Sequence, residues 1–260
     1  MRLNKKVAIV TGGGVGVGKA ISLAFAAEGA AVVVASRNQP RLESVADEIR
    51  AKGGKATSIP TDISDENQVR KMVAEALNEY GQIDILVNNS GIAGPTVNAT
   101  DIKLEDWNEV LAVNLTGAML CTREALKDML ARQSGNIINI SSAAGTRGLL
   151  MRSPYCATKW GLIGFGIALA LEVGRYNIRV NCIAPGAVEG ERISNVMKAK
   201  AEATGLTYEE IASEMSADAA LKRMVVATEI ADAAVFLASD ESSGITGQTI
   251  SVNAGRQLKA

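Results

Sequence analysis

The chain has no histidine. That absence removes Ser–His–Asp and Cys–His nucleophilic catalysis and every histidine-ligated metal site. Cysteine is scarce: Cys121, Cys156 and Cys182 stand far apart and form no Cys-x-x-Cys pair. This pattern predicts buried, reduced thiols rather than disulfides or a zinc site, so no metal is expected. There is no excess of positive charge, with 27 Lys and Arg against 28 Asp and Glu. That balance gives no sign of a nucleic-acid partner or an anionic membrane surface. No unbroken run of about 18 apolar residues suggests a membrane span. The apolar run Val7–Val10 after Lys5-Lys6 is too short for a signal-peptide core. A cytoplasmic protein is the expectation. Linkers, repeats and low-complexity tracts are also missing, so the 260 residues read as one domain over 1–260, with ample apolar content (47%) for a core.

What is present is an alternation. Apolar runs at Val7–Val10, Ala31–Ala35, Ala56–Ile59, Ile83–Val87, Asn136–Ile140, Ile178–Ile183 and Thr249–Val252 read as strands. Helical patterns fill the intervals at Gly18–Glu28, Gln39–Ala51, Glu66–Tyr80, Leu104–Arg132, Pro154–Arg175 and Thr228–Ser239. Continuously apolar strands alternating with helices predict an α/β fold. It is a doubly wound, Rossmann-type, seven-stranded parallel sheet with helices on both faces. Residues 190–225 break the rhythm. They read as two short helices, the second opened by a capping box at Thr207 and Glu210, and form either a substrate lid or a surface helical pair.

The first strand runs into Thr11-Gly12-Gly13-Gly14-Val15-Gly16-Val17-Gly18 and then a helix. Glycines here allow a sharp turn and let a pyrophosphate approach the free N–H groups of the helix start. The spacing is Thr-Gly-x-x-x-Gly-x-Gly, and Gly12, Gly14, Val15, Gly16, Val17 and Gly18 are the candidate contacts. The second strand ends Ala35-Ser36-Arg37-Asn38, where an NAD site would place Asp or Glu for the ribose 2′-OH. A cation stands there instead. Arg37 can pair with a 2′-phosphate, with Ser36 and Asn38 beside it, which favours NADP(H). The alternative is a solvated Arg opening the next helix.

Tyr155 and Lys159 lie four residues apart near a helix start, so they share a face. An ammonium close to a phenol favours the phenolate and lowers its pKa from near 10, fitting Tyr155 for proton transfer. A strand ending in Ser141-Ser142 precedes them.

Taken in order, the motifs resemble those of the short-chain dehydrogenase/reductase family along essentially the whole chain. They are the turn Thr11–Gly18, Asp62-Ile63, Asn88-Asn89-Ser90-Gly91, Asn114 within Val113-Asn114-Leu115, Ser142, Tyr155 with Lys159, and Pro185-Gly186. The resemblance implies a catalytic Asn114, Ser142, Tyr155 and Lys159. Ser142 would bond the substrate oxygen, and Lys159 the nicotinamide ribose. Asn114 would anchor a water that relays protons to Lys159. Asp62 and Ile63 would meet the adenine. Asn88, with Asn89, Ser90 and Gly91, would line the ribose side, and Ile183, Pro185, Gly186 and Val188 the nicotinamide. Two positions depart from the family pattern. Ser90 replaces an alanine, and Gly190 stands where a threonine usually holds the carboxamide, with Glu191 and Arg192 next.

The implied reaction is hydride transfer between NADP(H) and a carbonyl or secondary alcohol. The alternatives are an NAD(H)-dependent alcohol or polyol dehydrogenase, a 3-oxoacyl-carrier-protein reductase, for which no basic docking cluster stands out, and a non-catalytic NADP(H) sensor. Arg147 and Arg152 flank the active-site loop and suit either an anionic substrate or structural ion pairs. The uncharged stretch Trp160–Leu171 predicts a helix covered on all sides, hence a homotetramer or homodimer.

Overall fold

The computed structural model describes residues 1–256. Seven apolar runs become β1 (Val7–Thr11), β2 (Ala31–Ser36), β3 (Lys55–Pro60), β4 (Ile85–Asn88), β5 (Gly135–Ile140), β6 (Ile178–Pro185) and β7 (Thr249–Val252). They form one sheet in the order β3-β2-β1-β4-β5-β6-β7, every pairing parallel. The doubly wound Rossmann-type expectation therefore holds. The chain reverses direction across the sheet between β1 and β4, and a crevice opens there at the strands' C-terminal ends.

The central strands β1, β2 and β4 are almost wholly apolar because both faces are covered. Ala8, Val10, Val32, Val34, Ile85, Val87, Ile138 and Ile140 share one core with α1 (Gly16–Ala27), α2 (Gln39–Ala51) and α9 (Ala227–Ala238). Their neighbours Ile9, Val33, Ala35, Leu86, Ile137 and Val180 share the opposite core with α3 (Glu66–Tyr80), α5 (Gly117–Arg132) and α6 (Ser153–Val173). Each buried Val, Leu or Ile among them contributes about 1.5–3 kcal/mol by leaving water.

Local differences from the sequence expectations have physical causes. The expected strand at 83–87 begins only at Ile85. Before it, Ile83 is held by side chains, its N donating to Asp128 and its O accepting from Arg132, while Asp84 keeps backbone bonds to both neighbouring strands, Asp84 N donating to Val7 O and Asn136 N to Asp84 O. The expected helix 104–132 is α4 (Leu104–Leu111) followed by α5, joined by a π-helical turn over Ala112–Thr116. Such a turn widens the helix by one residue and re-aims the side chains within it, here Asn114.

α6 and the residues after it, Ser153–Tyr176, run for 24 residues and contain an 18-residue window of mean hydropathy 1.4, long and apolar enough to cross a membrane by length and composition. A count of unbroken apolar runs does not detect it. In the fold, Leu162, Leu169, Ala170 and Val173 are buried on the sheet. Gly166 lets the helix approach closely, since a Cβ there would stand 3.1 Å from both Asn139 Nδ2 and Cys182 Sγ. The outer side is open in the single chain: Trp160, Ile167, Ala168 and Leu171 are exposed.

Residues 190–225 do form two helices, α7 (Glu191–Thr204) and α8 (Tyr208–Ala217), and the capping box of Thr207 and Glu210 is present. They close a small core of their own from Ala187, Met197, Ile211 and Met215. The excursion is clasped at its base, where Glu189 N donates to Val225 O and Val225 N donates to Ala187 O.

Candidate active site

The C-terminal end of β1 brings the glycine turn against the end of β4. Asn89 Nδ2 donates to Thr11 O (2.9 Å) and Gly12 O (3.2 Å), while Thr11 Oγ1 accepts from Asn89 N and Ser90 N. Gly18 has no alternative, since a Cβ on it would lie 2.1 Å from Gly12 O and 2.5 Å from Asn89 Nδ2. α1 starts at Gly16 with no side-chain cap, and the space around Gly16 is open. Uncapped N–H groups facing open space suit a pyrophosphate. The turn is therefore a fit for a dinucleotide.

At the end of β2, Arg37 is exposed and makes no ion pair among the described residues. Asn38 is occupied as the cap of α2, its Oδ1 accepting from Arg41 N. Arg41, which the sequence reading did not single out, packs beside Gly14, where a Cβ would lie 3.3 Å from its own Cβ. It adds a second cation at this edge. Asp62 spends one oxygen locally, Oδ1 accepting from Ser64 N and Oγ in an Asx turn. Ile63 is buried against Gly117.

The two adjacent asparagines part ways. Asn88 is 3% exposed, and its Nδ2 donates to Thr122 Oγ1 and Asn139 Oδ1, both at 2.9 Å. It ties β4 to α5 and β5 inside the fold rather than facing the crevice. Asn89 alone reaches the glycine turn. Gly91 sits beside the catalytic candidates, since a Cβ on it would lie 3.0 Å from Asn114 Oδ1 and 3.6 Å from Lys159 Nζ.

The structure brings Asn114, Ser142, Tyr155 and Lys159 together at the ends of β4 and β5. Lys159 is 3% exposed and its Nζ donates to Ile140 O at 2.8 Å. Ser141 Oγ donates to Lys159 O at 2.9 Å, stapling α6 to the end of β5. Lys159 Nζ lies 5.7 Å from the ring centre of Tyr155, and Ser142 Oγ accepts from Ala144 N at 3.1 Å. Asn114 Oδ1 accepts from Ile92 N (2.7 Å), and its Nδ2 donates to Ile92 O (3.0 Å) and to Thr158 Oγ1 (3.2 Å). Thr158, absent from the sequence reading, thus links the widened helix to α6.

Burial raises the Tyr155 pKa. The positive charges of Lys159 and Arg192, the Ser142 hydrogen bond and the charge of Arg152 oppose it and together prevail, holding the phenol below its ordinary value of 10.0. Burial also pulls the Lys159 ammonium below its usual range, a shift that Tyr155 opposes.

Gly190 explains itself. Its backbone is at φ 134°, ψ −177°, a region essentially closed to residues with a side chain. A threonine does not fit that path. The turn instead delivers Arg192 from the first turn of α7, its Nη1 donating to Gly91 O at 3.2 Å and its guanidinium carbon 5.9 Å from the Tyr155 ring centre. At the sheet edge, Pro185 and Gly186 are held on β7, and Val188 bridges to Val225 at the base of the excursion.

The chain belongs to the short-chain dehydrogenase family, whose model matches residues 6–201. It is 36% identical to the 3-oxoacyl-(acyl-carrier-protein) reductase FabG of Thermotoga maritima over 98% of this chain and 99% of that protein. Among solved structures it resembles NAD+-bound xylitol dehydrogenase, with TM-score 0.96, 30% identity, and 98% and 100% of the two chains covered. It also resembles a variant of actinorhodin polyketide ketoreductase with NADPH, with TM-score 0.92, 33% identity, and 98% of each chain covered. The protein is a short-chain oxidoreductase acting on carbonyl or alcohol groups with a nicotinamide cofactor. One of these structures holds NAD+ and the other NADPH, so the shared fold does not choose between them.

Proposed function

We propose that the chain is an NADP(H)-dependent carbonyl reductase or secondary-alcohol dehydrogenase in which Tyr155 moves the proton. The observation that carries this reading is a phenol held below its ordinary pKa chiefly by the charge of the buried Lys159, 5.7 Å from its ring centre, in a chain without histidine. The cofactor supplies or accepts the hydride. During reduction Tyr155 gives its proton to the substrate oxygen, and Ser142 donates a hydrogen bond to the charge growing there. Lys159 stabilises the phenolate left behind. Asn114, its Oδ1 accepting one bond and so keeping a free lone pair, would anchor the water that relays protons to Lys159. Residues Gly12–Gly18 hold the pyrophosphate and Lys159 the nicotinamide ribose. The segment 190–225, hinged at Gly190, acts as a substrate lid on a single catalytic domain.

NADP(H) is favoured because no acid ends β2, while Arg37 lies unpaired among the described residues and Arg41 stands near it. A charge-assisted bond contributes about 1.5–3 kcal/mol, with exposure drawing the value to the low end. Arg37→Ala is therefore expected to weaken NADPH use about tenfold with little change for NADH. The check is the ratio of kcat/KM for the two cofactors, which would move toward NADH. A wild type that prefers NADH, or a ratio unmoved by the substitution, refutes the assignment.

The exposed apolar side of α6 supports a dimer or tetramer built across it. Ala168→Glu places a charge on that side. Sedimentation of the wild type is expected to give an oligomer, and of the variant a smaller species. A monomeric wild type with full activity counts against this assembly.

A further inference from the structure

The active site holds more positive charge than its chemistry needs. Arg152 is 7% exposed, yet no carboxylate lies within ion-pair distance of it among the described residues. Its guanidinium donates only to neutral oxygens, Thr96 Oγ1 at 2.9 Å and Ala93 O at 2.7 Å. Its carbon lies 5.2 Å from the Tyr155 ring centre. Arg192 approaches the same ring from the lid, at 5.9 Å, and donates to a backbone carbonyl. The groups that favour charge on Arg152 are Tyr155 and Cys156, not an Asp or Glu. A buried cation with no counter-ion is costly.

Arg147 behaves differently. It turns away to Asp218 (3.7 Å) and to Arg256 O (3.2 Å), and Arg256 shares the same carboxylate. Of the two arginines flanking the loop, one has an acid partner and the other has none among the described residues. The missing anion is therefore specific to the pocket beside Tyr155.

Resting on the oxidoreductase reading above, we propose that Arg152 and Arg192 form an anion clamp, and that the substrate is a small keto or hydroxy acid, or its phosphate counterpart. Both guanidinium groups lie close to the phenol that meets the reacting oxygen. The anion therefore sits a few bonds from the reacting carbon, which excludes a charge at the far end of a long chain. Arg152 is fixed from below by the loop 93–96. Arg192 arrives with α7, so binding the anion also draws the lid onto the substrate. A guanidinium pair donates to carboxylate or phosphate oxygens equally well in geometry.

The test compares acids with their neutral counterparts, which separates charge from shape. The probes are acetoacetate and levulinate against their methyl esters, and dihydroxyacetone phosphate against dihydroxyacetone. Wild type is expected to favour at least one charged probe over its neutral partner by tenfold or more in kcat/KM. Arg192→Met should cut that preference about tenfold. The ratio cancels any effect of Arg192 on the phenol, because both members of a pair use it. Arg152→Met should do the same if it folds, and Arg192, being exposed, provides the variant that does not depend on that. The carboxylate and phosphate arms identify which anion is preferred.

Binding is measured independently by calorimetric titration of levulinate, dihydroxyacetone phosphate and their neutral partners into the NADP+-saturated protein. Preferential binding of an anion, lost in Arg192→Met, upholds the clamp even if none of these compounds is turned over; that outcome would count only against the reaction assigned. Equal binding and turnover of charged and neutral partners overturns the clamp while leaving the oxidoreductase reading intact. So does an Arg192→Met that weakens NADPH binding but leaves the charged-to-neutral ratio unchanged, which would place this arginine on the cofactor.

Discussion

Tyr155→Phe is expected to lower kcat/KM by about 10²–10⁴-fold, the range that general acid–base catalysis supplies, while NADPH still binds. The substitution removes one hydroxyl and keeps the ring. It leaves Lys159 bonded to Ile140 O and Asn114 bonded to Ile92 and Thr158, so the pocket retains its shape. What disappears is the proton. No histidine exists to replace it. Lys159 is turned to the backbone carbonyl of Ile140, and the Ser142 hydroxyl accepts from Ala144 N. Substrate reduction followed by loss of reduced-cofactor absorbance, with NADPH affinity from fluorescence, separates the two effects. Near wild-type turnover in Tyr155→Phe would remove Tyr155 from the mechanism. A variant that no longer binds NADPH would mean that the phenol holds the cofactor rather than moving the proton.

The elements most legible in the sequence are those whose ends carry local chemistry. α2 and α3 match their expected bounds because Asn38 and Asp65 cap their starts, and Gly81, in a left-handed conformation at φ 77°, ends α3. The parallel sheet was legible for a different reason: its central strands, covered on both faces, are nearly continuous apolar runs. The glycine turn and the Tyr155/Lys159 pair were readable because each is a short local pattern.

What was hidden depends on partners distant in the chain. Asn88 and Asn89 look alike in sequence, but neighbouring residues at a strand end point to opposite sides. One is therefore consumed by Thr122 and Asn139, and only the other meets the glycine turn. Arg147 and Arg152 were likewise indistinguishable until Asp218 claimed the first. The π turn at Asn114 shifts hydrogen-bond register without any change of composition, so periodicity passes over it. Arg192 was visible only as the neighbour of an unusual glycine. Its place over Tyr155 follows from the backbone path that Gly190 permits.

Lys159→Ala is expected to damage two properties at once, and a pH profile distinguishes them. Alcohol oxidation requires the phenolate, so its rate rises with pH through the Tyr155 pKa. Lys159 is the largest of the influences holding that pKa down. Without the ammonium, burial acts against weaker opposition and the pKa rises, so the rising limb of kcat/KM for oxidation moves to higher pH. Each unit of movement corresponds to about 1.36 kcal/mol less stabilisation of the phenolate. The substitution also leaves Ile140 O without the Lys159 donor and removes the group proposed to hold the ribose, so cofactor affinity should fall about tenfold or more. Saturating the variant with cofactor corrects the second loss and not the first. Lys159→Arg is not expected to restore activity. The ammonium sits in a closed position, 3% exposed and against Gly91, with no room for the longer, forked guanidinium. An oxidation limb that stays in place in Lys159→Ala would show that the ammonium does not tune the phenol, whatever happens to binding.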